Sequence, residues 1–110
     1  TVDPFPLVPD SFKWSFIKGL YDGDGNFYKG TTSIAGKKTI IKFVYYWICQ
    51  QINKTPNKIY QSSNSDKTFS FQIAKNDSRL FWDRLLNKTS LLYNSQNDKK
   101  AANYFEIVAL

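Results

Sequence analysis

The sequence predicts an α+β domain, one antiparallel sheet with helices on one of its faces, in the order α-β-β-α-β-β-α-α. Three observations carry this. Two pairs of short alternating segments, within 26–35 and 58–73, each read as a hairpin. The segments around them repeat apolar residues at helical spacing. The chain of 110 residues is 42% hydrophobic and 17% aromatic, enough for one domain with a core and against wholesale disorder. Hairpins alternating with helices give an antiparallel sheet covered by a helical layer.

Residues 1–9 hold three of the four prolines and predict an extended lead-in; 10–110 form the domain. Asp10 or Ser11 caps the first helix. In it Phe12, Phe16 and Leu20 repeat at spacing four beside Ile17, until the glycines of DGDG end it near Asp22. Two short strands, 26–29 and 32–35, alternate around Gly30. Ile41, Val44, Tyr45, Ile48 and Ile52 mark one face of a helix over 38–54, which Pro56 stops. A strand over 58–61, a turn at Asn64-Ser65-Asp66 and a strand over 68–73 follow. Asn76 or Asp77 caps the next helix, through Leu80, Phe81, Leu85 and Leu86. After a loop rich in Asn and Ser, the last helix carries Ala101, Tyr104, Phe105 and Val108.

Alternation assigns the sheet faces. Phe27, Ile34, Ile59, Phe69, Phe71 and Ile73 point at the helices, and Tyr28, Ser33, Lys58, Tyr60, Thr68, Ser70 and Gln72 point away. Charge singles out the same stretch. The net charge is +6, yet residues 26–75 hold eight lysines against one aspartate, and residues 1–25 carry net −2. A basic zone with an open face of Lys, Tyr, Ser, Thr and Gln suits a polyanion, above all a phosphate backbone. Lys29 and Lys67 join that face at its rims.

Composition also excludes. Zero histidine removes Ser-His, Cys-His and His-metal mechanisms. No apolar run reaches the ~18 residues of a membrane span, so no membrane partner is expected. No positively charged start leads into an apolar segment, so secretion is not expected, and a single cysteine makes no internal disulfide. Both predict an intracellular setting, a bacterial or phage cytoplasm or an organelle. Thr1 and the lack of Met predict a trimmed chain or a piece of a longer one. Cys49 and Trp14, Trp47 and Trp82 read as core residues.

The most specific string is Ile17-Lys18-Gly19-Leu20-Tyr21-Asp22-Gly23-Asp24-Gly25. It sets two carboxylates at a helix C-terminus, where the macrodipole disfavours negative charge. A compensating cation is therefore expected, a hard metal or a lysine. A plain turn is the alternative. An EF-hand loop is rejected, because Phe27 and Ser33 occupy the positions that need Gly and Glu. Ser15, Gly19 and Gly23 leave one face of the helix nearly bare, either for packing on the protein's own sheet or for an equivalent helix of a partner.

This segment resembles the signature of the LAGLIDADG homing endonucleases at Gly19, Leu20, Asp22, Asp24 and Gly25, five of nine positions. The element order over 10–88 is similar to the family core, and 90–110 to the closing helix of compact members. The resemblance implies a saddle-shaped sheet on double-stranded DNA and Mg²⁺-dependent hydrolysis of a phosphodiester, with Mn²⁺ as a substitute. It implies motif helices packed at a twofold axis through Ser15, Gly19 and Gly23. Asp24 becomes the metal ligand, with the Gly23 carbonyl beside it. Asp22 either finishes the helix or touches the metal. Lys75, after the last strand, takes the place of a lysine near the cleavage pocket, or is another phosphate-facing lysine. Lys18 and Tyr21 depart from the motif's small and aliphatic residues. The motif occurs once, so a homodimer or a second LAGLIDADG half-domain is required. The leading expectation is a site-specific endonuclease of intron, intein or free-standing origin. The others are an inactive DNA-binding module, which could belong to a longer regulator, and an RNA intron splicing factor (maturase).

Overall fold

Helix α1 (Asp10–Asp24) runs without a loop into strand β1 (Gly25–Tyr28), in a computed structural model that describes residues 5–89 and 96–107. Then come β2 (Thr31–Lys37), α2 (Lys38–Gln51), β3 (Tyr60–Gln61), β4 (Thr68–Ile73), α3 (Lys75–Lys88) and α4 (Gln96–Phe105). The predicted order holds. All neighbours in the sheet are antiparallel, in the order β1-β2-β4-β3. Val108 of the expected last helix, residues 1–4 of the lead-in and the loop at 90–95 lie outside the described residues.

The β1–β2 connection is a two-residue turn in which Lys29 (φ 50°) and Gly30 (φ 84°) are both left-handed. A turn of this kind matches the right-handed twist of a hairpin. Gly30 is needed twice over, since a Cβ there would meet the Tyr104 hydroxyl of α4 at 3.0 Å.

The helices pack on the face that carries Phe27, Thr32, Ile34, Phe71 and Ile73, all buried. Ile59 and Phe69 are half-buried against the same core. Under the sheet, Trp82 Nε1 donates to Thr32 Oγ1 at 2.7 Å, and the Thr32 and Ser78 hydroxyls lie 2.7 Å apart. All three residues are fully buried, so this chain of bonds satisfies polar groups that would otherwise cost about 1–3 kcal/mol each. Cys49 is buried, and burial pushes its thiol pKa up. Trp14 and Trp82 are core; Trp47 is half-buried, edge-on to Trp14 at 5.0 Å.

Several local expectations are corrected. The lead-in is not wholly extended, because Phe5–Leu7 form a 3-10 turn with Phe5 buried. Lys13 anchors it: its ammonium donates to the Val8 carbonyl, pairs with Asp10 at 3.0 Å and lies 5.3 Å from the Phe5 ring centroid. Neither Asp10 nor Ser11 caps α1; Pro9 stands there, fixed in an extended conformation. α1 also outlasts Asp22, since its glycines stay helical as far as Asp24. Its core face is Trp14, Ile17 and Tyr21, while Phe12 is 62% exposed and Phe16 and Leu20 are half-buried.

Pro56 does not stop α2. Asn53, left-handed at φ 57°, ends it, with Lys54 N–H on the Cys49 carbonyl (2.8 Å) and Asn53 N–H on Gln50 (3.4 Å). That is the helix-ending pattern of a left-handed residue after the C-cap. α4 ends the same way at Glu106. β3 is only Tyr60–Gln61, so Lys58 precedes it. Ala74, rather than Asn76 or Asp77, occupies the α3 N-cap.

Candidate functional site

The register builds the open face rung by rung. Directly paired residues share a face. Tyr28 pairs with Thr31; Asn26 with Ser33 and Ser33 with Gln72; Ala35 with Ser70 and Ser70 with Tyr60; Lys37 with Thr68. Tyr28 is 66% exposed, Tyr60 and Gln72 are exposed, and Ser33, Thr68 and Ser70 are half-buried. Lys29 stands on the hairpin turn with its ammonium 5.3 Å from the Tyr28 ring centroid, and Lys58 is 5.2 Å from that of Tyr60. Lys67 is exposed just before β4. All nine residues expected on this surface therefore lie on or beside one face. The sequence reading missed Asn26 and Lys37, although Lys37 lies on the alternation of β2.

The two motif acids part company. Lys18, only 5% exposed, holds Asp22 by both carboxylate oxygens, at 2.8 and 3.0 Å. The cation beside Asp22 is thus a lysine one turn back, and the helix runs on past it to Asp24. The spacing of Asp22 to Lys18, four residues, was legible. Asp24 is exposed and among the described residues makes no ion pair. It sits in the last helical turn with Gly23, where carbonyl oxygens have no helical partner.

These donors are hard oxygens, suited to an ion such as Mg²⁺ that takes one or two carboxylates and keeps waters and phosphate oxygens. Among the described residues no three Asp, Glu or Cys side chains gather into a metal cage. The donor set therefore fits an ion shared with a phosphate or with a second Asp24, not one enclosed by a single chain.

The glycines have two different jobs. A Cβ on Gly19 or Gly23 would meet nothing within 4 Å, so packing on the protein's own sheet does not explain them. With exposed Ser15 and Phe12 they make an uncharged open face on α1. Gly25, by contrast, lies under the Tyr21 ring, whose Cδ2 would be 2.0 Å from an added Cβ. Tyr21 in turn stands edge-on to Trp82 at 4.8 Å.

Lys75 is not brought to Asp24. Gly25, next to Asp24, is level with Ile34 and Phe71. β4 continues two residues past Phe71 to Ile73, about 7 Å at ~3.3 Å per residue, and Lys75 begins α3 after it, two strands across from β1, about 10 Å. The resemblance placed it near the cleavage pocket, but the register sets it two strands away from β1 and past the far end of β4. The lysine nearer the level of Asp24 is Lys37, at the end of β2.

Among the described residues no helix is long and apolar enough to cross a membrane. Compared with family models, with curated proteins and with solved structures, the chain matches none.

Proposed function

We propose that this protein is a site-specific DNA endonuclease of the LAGLIDADG type, acting as a homodimer and hydrolysing a phosphodiester with Mg²⁺. The observation that carries this reading is the contrast within the motif. Asp22 is neutralised by Lys18, while Asp24 is exposed, without an ion pair among the described residues, beside a bare glycine face. A carboxylate at a helix C-terminus is disfavoured by the dipole, and a bound cation would relieve it. The element order and the polar, lysine-rimmed open face support the same reading.

In this mechanism the open sheet face takes the duplex. Its hydroxyl and amide side chains meet base edges and its lysines meet phosphates. α1 of each copy packs through Ser15, Gly19 and Gly23, so that two Asp24 carboxylates face the two strands. Asp24 and the Gly23 carbonyl would hold the ion, and Lys18 keeps Asp22 paired within α1. Mg²⁺ so held supplies a bound water of lowered pKa and charge stabilisation of the attacking and leaving oxygens. No histidine is required.

The test is cleavage and binding measured side by side on plasmid libraries, for the parent and Asp24→Asn. The parent nicks or cuts with Mg²⁺ or Mn²⁺. Asp24→Asn does not, while its DNA affinity holds or rises because one negative charge leaves a phosphate-facing site. Normal cleavage by the variant overturns the catalytic assignment. A second reading, an inactive DNA-binding module, is favoured by the small donor set that a single chain offers among the described residues. A parent that binds tightly and never cuts selects it.

A further inference from the structure

Where β4 gives way to α3, a cleft of about 870 Å³ opens beside the start of the helix. Lys54, Lys58, Lys75 and Arg79 line it, with one acid, Asp77. Among the described residues none of the four cations has a carboxylate partner. Asp77 is in the first turn of α3, where it is favoured by the helix dipole. Four unneutralised cations around one concavity repel each other in the free protein and focus a positive field into it.

Lys75 carries a second signal. Its φ of 55° is left-handed, a conformation that costs a non-glycine residue of order 1 kcal/mol or more. A glycine would relieve it; a lysine there puts an ammonium on the cleft rim. Tyr60 (43% exposed) and Tyr104 (58% exposed) border the same space. Gln72 belongs both to the cleft and to the open face, so the two surfaces are continuous.

We propose that this cleft grips the phosphodiester backbone of the DNA flanking the segment that lies on the sheet. The cations take non-bridging phosphate oxygens and the tyrosine hydroxyls donate to the same groups. The inference rests on the DNA-binding reading above, and gives Lys75 a role in holding the strand in place of one in cutting it.

The test uses the full chain and one mixed-sequence duplex of about 30 base pairs, titrated by fluorescence anisotropy over a range of salt. The double variant Lys54→Gln/Arg79→Gln removes two charges from the cleft. Lys42→Gln/Lys88→Gln removes two exposed charges from the helices outside it. Circular dichroism verifies that both fold. We expect the cleft variant to bind more weakly, with its slope of log K against log salt smaller by about two, roughly 0.9 for each phosphate that is no longer neutralised. The control variant keeps the parent's slope. Equal losses in both variants, or no loss in either while the parent binds, overturn the cleft as a phosphate grip. Inorganic phosphate that shifts the amide resonances of Lys75 and Asn76 at micromolar concentration, with the duplex leaving them unmoved, assigns the cleft to a small free anion and also overturns it. A parent that binds no duplex at any salt overturns the DNA reading itself, and this inference with it.

Discussion

Two corners of one sheet differ in almost every respect. At the first, α1 meets β1. Lys18 holds Asp22, the Tyr21 ring covers Gly25, and Asp24 is left exposed with no ion pair among the described residues. At the other, β4 meets α3 and four cations line an open cleft without a carboxylate partner among the described residues. The first corner is tightly packed, with a single negative group placed where the helix dipole disfavours it. The second is open and positive. A packed corner with one hard anionic ligand suits positioning a metal at a phosphate. An open cationic corner suits affinity and tolerates variation in where the phosphates fall. On the proposed function, cutting falls to the corner of Asp24 and holding to the end of β4 two strands across.

The largest expected effect separates those assignments. Asp24→Asn lowers the cleavage rate by about three orders of magnitude or more, because a metal ligand is worth several kcal/mol of charge stabilisation. Lys75→Ala leaves the rate at saturating DNA near that of the parent and weakens binding. Single-turnover cleavage at saturating and limiting protein reads both. A collapse of the saturated rate in Lys75→Ala would break the comparison and return Lys75 to the chemistry.

How much of this was legible follows from how local each signal is. The element order was, because period-2 and period-3.6 patterns are carried by neighbouring residues. So was the Lys18–Asp22 pair in principle, at spacing four. The separation of Asp24 from Lys75 was not, since it depends on β4 lying beside β2 and in which register. The core face of α1 was ambiguous for another reason. Phe12, Phe16 and Leu20 recur at helical spacing, and so do Trp14, Ile17 and Tyr21; only the sheet decides between them. Thr32 and Ser78 look like surface residues until Trp82 arrives from 50 positions away. The seven residues that alternation reads onto the open face were legible because strand alternation is itself local.

The packing of the Asp24 corner has its own test. Gly25→Ala forces the Tyr21 ring off its place against Trp82, and overpacking of this kind costs about 1–3 kcal/mol. Asp22→Asn takes a carboxylate from a buried ammonium and destabilises by a comparable amount, about 1–3 kcal/mol, while cleavage per folded molecule is retained. Urea unfolding monitored by tryptophan fluorescence measures both. Neutral results would mean that the corner is looser than its contacts imply.

Gly19 gives a smaller effect whose sign is informative. Nothing lies within 4 Å of an added Cβ, so in an isolated chain Gly19→Ala stabilises the helix by roughly 1 kcal/mol. At a twofold contact the same methyl pushes two helices apart. We expect the variant monomer to be more stable to urea and its dimer to dissociate at higher protein concentration, measured by light scattering. Gly19→Leu prevents the dimer altogether. A Gly19→Leu dimer of unchanged strength would remove α1 from the interface and leave the two Asp24 residues without a reason to meet.

The smallest effect compares single lysines along the open face. Lys58 borders the cationic cleft and sits over the Tyr60 ring, while Lys67 stands at the other end of β4, toward the level of Lys37 and Thr68. Each should meet a phosphate, so Lys58→Ala and Lys67→Ala each reduce the salt slope by roughly one. Neither changes sequence preference, because phosphates carry no base identity. Gln72 lies on the Ser33 rung and has the donor and acceptor needed for a base edge. Gln72→Ala therefore leaves the slope alone and relaxes preference at one base position, by about 1–3 kcal/mol. Binding selections on a randomised duplex, run at two salt concentrations, separate the two behaviours. If Lys58→Ala shifts base preference instead, the sheet is read in a different register on DNA, and the cleft beside it would meet bases in place of flanking phosphates.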